Sequence, residues 1–195
     1  MANSTMNAEE LQDKHRRTIA DYVGDMAALE SHIEEALDGQ LTEVKDDPIA
    51  RGAVQEFHDM VKQHRDTLKA LEEETGRTIG SPIKEAGSAL IGKAAGIINL
   101  VRTEGISKGL RDDYAAFNLA AIGYSMLHTT ATALGDQRVA ELAARHLQDH
   151  AQAIMRINEI MPGVVIRELQ KDGHQADNAA EEATRKAVSR SWETR

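Results

Sequence analysis

Glu30, His64 and Tyr124 interrupt three separate apolar stripes of this chain. His146 and His150 lie one helical turn apart in a fourth, with Asp149 beside them. A polar group at a core position costs free energy unless it is paired or bound, and a carboxylate such as Glu30 is seldom buried without a partner. Carboxylate and imidazole together suit a divalent transition ion, provided several rigid elements hold them. Glu30, His64, His146, Asp149 and His150 are therefore the candidate metal ligands. The same groups are equally able to form a metal-free buried ion pair, Glu30 with a histidine. Both readings stay open from the residues alone.

The elements that must position them are long amphipathic helices. A first helix is predicted from about Glu9 to Leu41, with Ile19, Val23, Met26, Glu30, Ile33 and Leu37 as its stripe. A second runs from about Pro48 to Glu74 through Val54, Phe57, Val61, His64, Leu68 and Leu71, with Asp47 as its N-cap. A third runs from about Asp112 to Leu134, stopped by Gly135, and carries Phe117, Ala120, Tyr124, Leu127 and Ala131. A fourth runs from about Gln137 to Met161, where Pro162 and Gly163 break the period before a short helix, Val164 to Leu169. Short links make hairpins of helices one and two and of helices three and four. The long stretch between helices two and three has its own helical pattern, Ile83, Leu90, Ile91, Ala94, Ile97, Ile98 and Val101. As a helix it spans the bundle and leaves helices two and three parallel, which is the ferritin-type crossover. The fold predicted is all-α: a four-helix bundle of two antiparallel hairpins joined by a long crossover, over residues 1–172. Residues 173–195 read as a polar tail or exposed helix. In this topology the polar intruders fall within roughly 8 Å of one another in height.

Composition narrows the function classes. Apolar residues make up 41% of 195, enough for one domain with a real core. A net charge of −9 and 3% aromatics argue against a nucleic-acid surface or stacking platform. The most apolar stretch, Ala86 to Val101, contains Lys93 and is too short for a membrane span. With no cysteine and no secretory signal at Met1 to Glu10, a cytoplasmic location is expected. Gly87 to Ala94 approximates a P-loop, but Ala94 stands where the magnesium-binding hydroxyl belongs and no strand precedes it. Gly92 and Gly96 fit close helix packing instead.

With these segments in place, the chain resembles the ferritin-like superfamily, and within it the bacterial YciF-like stress-response group. The resemblance spans Thr18 to Asp172. It is carried by Met26-Ala-Ala-Leu-Glu-Ser-His32, Gln63-His-Arg-Asp-Thr-Leu68, Ala120-Ala-Ile-Gly-Tyr124, Leu134-Gly135 and Ile166-Arg-Glu-Leu169. It implies a bundle, often a homodimer, with iron or another transition metal (manganese or zinc) rather than an organic cofactor, and any activity of metal-dependent oxidoreductase type. Position by position, Glu30 matches the helix-one ligand, Gln63 and His64 fall near those of helix two, and Asp149 and His150 fall at the acidic pair of helix four. Helix three departs: Phe117 and Ala120 stand where the family has glutamates. A standard di-iron site therefore gives way to a histidine-richer single-metal site or a lost one. The alternative function is a metal-free helical scaffold acting through dimerisation or a protein partner.

Overall fold

The computed structural model describes residues 7–74 and 105–192, all helix, turn and loop without a strand. Helix α1 spans Ala8–Glu43, α2 Pro48–Glu74, α3 Ile106–Leu134, α4 Gln137–Lys171 and α5 Ala179–Trp192, with one 3-10 turn, Val44–Asp46, between α1 and α2. The crossover pattern Ile83 to Val101 lies outside the described residues.

Local chemistry fixes the ends. Asn7 and Glu10 form a reciprocal capping box at α1. Asp136 accepts the Val139 N–H at the start of α4, and Gly135 turns the α3–α4 corner at φ 82°, a left-handed backbone that suits glycine. Asp47 caps α2 as expected, accepting the N–H groups of Ile49 and Ala50 at 3.1 Å each. It also takes two bonds from the Arg167 guanidinium of α4, at 2.8 and 3.1 Å. Burial pulls its carboxyl upward, yet Arg167 and the two amides hold it below the ordinary carboxylate range. Asp47→Ala removes both the cap and the α2–α4 tie, so a loss of roughly 2–4 kcal/mol is expected in urea unfolding.

Cross-helix pairs give the topology. Arg65 of α2 meets Glu34 of α1, and His58 meets Asp38, so α1 and α2 are antiparallel. Asp47–Arg167, His64–Asp149 and Glu74–Arg138 make α2 and α4 antiparallel. Ser107 with Glu168 and Tyr124 with His146 do the same for α3 and α4. Helices α2 and α3 are consequently parallel, and the connection between them joins opposite ends of the bundle, as the sequence implied. Each helix turns one seam inward; Leu37, Val54, Val61, Leu68, Phe117, Leu127 and Val164 are fully shielded from solvent.

Two boundaries differ from the sequence reading. Helix α3 begins at Ile106, not Asp112, because Leu110 and Asp113 extend its inward seam. Gly109 permits this approach to α1; a Cβ there would fall 2.5 Å from Gln40 Nε2. Helix α4 continues through Pro162 to Lys171, so Val164 to Leu169 is its last turns. Proline removes one hydrogen bond and disfavours a helix interior. Burial of Ile160, Val164 and Ile166 on either side holds the helix together. Pro162 frees the Asn158 carbonyl, and one residue further on the Glu159 carbonyl accepts from Arg185 Nε of α5 at 3.1 Å. The short C-terminal helix is thus α5, which docks where Gly163 leaves room for Glu181 and buries none of its own residues.

Candidate metal centre

Four helices each send a polar side chain to one level of the core. Glu30 of α1 is at the middle, wholly buried. Its Oε1 accepts from Tyr124 Oη at 2.6 Å, from His150 Nε2 at 2.8 Å and from His64 Nδ1 at 3.2 Å. Burial alone would raise this carboxyl, but the His150 and His64 imidazoles outweigh it and hold the pKa at about 2. Glu30 is therefore an anion in a dry core.

The remaining bonds follow from donor counting. Tyr124 gives its one proton to Glu30, so its oxygen accepts from His146 Nδ1 at 3.0 Å. Burial, then the Glu30 charge, raises the Tyr124 hydroxyl well above its ordinary value, keeping it a phenol. Burial also lowers His146 to about 3, with the His64 ring adding to the shift. A neutral His146 stacks on His64 at 3.8 Å between centroids. The other nitrogen of His64, Nε2, faces Asp149 Oδ2 at 3.1 Å. Asp149 is 45% exposed and is the one member of the cluster that reaches solvent. Tyr124→Phe would leave His146 Nδ1 without an acceptor and Glu30 without its shortest bond. A loss of about 1–3 kcal/mol in thermal or urea unfolding is expected.

Two polar atoms stay unpartnered in this dry setting: Glu30 Oε2 and His150 Nδ1. Buried orphans of this kind are uncommon. Ligand atoms of Glu30, His64 and His150 all lie within 4.8 Å of one another, all from buried residues. One carboxylate and two imidazoles suit iron, manganese or zinc and leave coordination positions open. This donor set fits a single cation.

Of the candidate ligands named from the sequence, Glu30, His64 and His150 form one ligand-capable group, while His146 stacks on His64 and Asp149 bonds it from outside that group. Gln63, by contrast, is exposed on the outside of α2. Phe117 and Ala120 are buried at the same level and hold no charge. The Phe117 ring lies 5.5 Å from that of His150 and 5.2 Å from Phe57. Tyr124 is the group α3 contributes. His58 is mostly covered and sits between Asp38 and Asp59.

A family model described as a domain of unknown function, DUF892, matches residues 15–170. The chain belongs to the DUF892 family. That family lies within the ferritin-like superfamily, in agreement with the helical bundle and its parallel α2 and α3. The DUF892 chain is similar in fold to a crystal structure of a protein from Xanthomonas campestris pv. campestris, with a TM-score of 0.66 at 17% identity, covering 82% of this chain and 99% of that one. At that identity the likeness speaks for the fold alone. No curated protein matches the chain. Among the described residues, no helix is long and apolar enough to cross a membrane.

Proposed function

We propose that this DUF892 protein binds one divalent transition-metal ion in its core, through Glu30, His64 and His150. The single observation that carries the reading is the buried group of Glu30, His64 and His150 ligand atoms within 4.8 Å of one another, the one such group among the described residues. A bound iron or manganese ion would supply one-electron redox chemistry, and zinc would supply Lewis acidity. The chain's own residues do the rest. Tyr124 fixes the Glu30 carboxylate through its 2.6 Å bond. Asp149 orients the His64 ring from the solvent side. Phe57 and Phe117 close the centre against water. With Phe117 and Ala120 on α3, the carboxylates for a second ion are missing, so one ion per chain is the expected stoichiometry. We further propose membership in the YciF-like stress-response group, supported by the order and spacing of the segments around Glu30, His64 and Tyr124.

A metal-free scaffold is favoured by a different observation: Glu30 Oε1 already holds three donors. Thermal unfolding separates the two. Saturating Fe(II), Mn(II) or Zn(II) is expected to raise the Tm of the parent protein, reversibly with chelator, and to leave His64→Ala unchanged. A parent Tm indifferent to all three ions would leave the scaffold reading.

A further inference from the structure

Asp149 stands between solvent and the buried cluster, and we propose that it is the capture point through which a metal ion enters that centre. The inference rests on the one-ion reading given above and concerns how the ion arrives. Glu30 and His150 are wholly shielded from solvent and His64 is 3% exposed. An ion that reaches them has to shed its water shell and pass a side chain.

Most sides of the cluster are shut by uncharged groups. Tyr124 covers it from α3 and is itself wholly buried, and Met26 and Ile33 flank Glu30 one turn away on α1. The Phe117 ring lies 5.5 Å from that of His150 and packs edge-on against Phe57. The side that remains is the seam between α2 and α4. There the Asp149 side chain is 45% exposed, yet its Oδ2 lies 3.1 Å from His64 Nε2. It is a carboxylate with one face in water and the other on a ligand residue.

His64 supplies the second observation. Its Nδ1 faces Glu30 Oε1 at 3.2 Å and its Nε2 faces Asp149 Oδ2, so one ring has a carboxylate at each nitrogen. A neutral imidazole carries a single N–H. One of the two contacts therefore sets a nitrogen lone pair against a carboxylate oxygen, and a positive charge between them removes that repulsion. With Nδ1 turned to the buried group, Nε2 and Asp149 Oδ2 are a pair of donors at the solvent end. Metal–ligand bonds of ~2.0–2.2 Å at a right angle place two such donors ~3 Å apart. The observed spacing matches. Two donors are too few to keep an ion against the three of the centre, which suits a point of passage.

The surroundings leave Asp149 as the free anion of this seam. On α2, Gln63 and Thr67 beside His64 are uncharged, and the Asp66 carboxylate is held by Arg65. On α4, Arg145 is exposed one turn before Asp149 and is the competing cation, while Ala153 one turn after it is neutral.

The test reads the rate of loading apart from its extent. Metal-free, full-length parent, Asp149→Asn and Asp149→Glu are mixed with excess Co(II) and followed by visible absorbance. The loaded proteins are then mixed with excess chelator to read release. Asparagine keeps an oxygen that accepts from His64 Nε2, so the ring stays oriented while the charge is lost. Asp149→Asn is expected to load about tenfold more slowly than the parent, to reach the same one ion per chain, and to release it no faster. Asp149→Glu is expected to recover most of the rate. Loading of Asp149→Asn at the parent's rate would overturn the proposal; faster release alongside it would mean that Asp149 only braces the bound ring. Either result leaves the one-ion reading intact. A parent that takes up no Co(II) would remove that reading and this inference together.

Discussion

Glu30→Ala is expected to abolish metal retention and to lower the unfolding free energy by roughly 3–5 kcal/mol, the cost of leaving buried partners of a charge uncompensated. The argument rests on one oxygen. Tyr124, His150 and His64, from three other helix positions, all direct protons at Glu30 Oε1, and none of them has a second acceptor of comparable burial at that atom. Truncation also opens a cavity at the centre of the bundle, which adds to the loss. Glu30→Gln separates the effects. It keeps the volume and one acceptor, so most of the packing survives, but the anion that a cation needs is gone. Chemical denaturation reads the stability of both variants, and elemental analysis their metal. If Glu30→Ala unfolds at the same urea concentration as the parent, the central bonding described above is wrong.

The second large effect is expected away from the centre. Asp113 of α3 is 6% exposed. Its Oδ2 is unpartnered, and so are both amide atoms of the adjacent Gln40. Burial is the main cause that lifts its pKa from 3.8 to about 7; the neighbouring Asp112 charge adds to this, and the Gln40 amide draws it down without forming a good hydrogen bond. The sign follows by linkage. Between about pH 4 and pH 7 the unfolded chain has released this proton while the folded chain still holds it, so stability falls as pH rises through that window. Asp113→Asn removes the penalty. The variant is expected to match the parent near pH 4 and to exceed it by about 2–4 kcal/mol at pH 8, since each pKa unit is worth ~1.4 kcal/mol. His146 and Glu30, held at about 3 and about 2 in the folded protein, add a pH dependence of their own as they titrate at ordinary values in the unfolded chain. Subtracting the two denaturation curves isolates Asp113. A difference that stays flat from pH 4 to pH 8 would contradict the assignment.

Asp113 also marks how far the sequence could be read. The seam of α3 was followed from Phe117 onward, yet Asp113 and Leu110 continue it at the same spacing. Likewise Gln40 extends the α1 stripe one step past Leu37. Gln40 and Asp113 both lie inside the helices predicted from the sequence, Glu9 to Leu41 and Asp112 to Leu134, one step beyond the stripes named there. Gly109 leaves room for Gln40 in the first turns of α3, where a Cβ would fall 2.5 Å from Gln40 Nε2. Pro162 misled in the opposite way. A proline ends a helix by local propensity, but burial of the flanking apolar residues overrides it here. The central cluster was legible because helical spacing fixes level and face. Its wiring was not. Spacing places His146 and His150 alike, while side-chain rotamers decide that His150 bonds Glu30 and His146 bonds Tyr124.

The parallel arrangement of α2 and α3 came from connection lengths alone, and the ion pairs Asp47–Arg167 and Glu74–Arg138 at opposite ends of α2 and α4 agree with it.

The central claim is that the buried cluster holds one metal ion, and metal content tests it most directly. The parent and Glu30→Ala are each incubated with Fe(II), Mn(II) and Zn(II), desalted, and analysed by elemental mass spectrometry. One ion per chain in the parent and none in the variant is the expected result. No retained metal in the parent, or equal retention in both proteins, would contradict it.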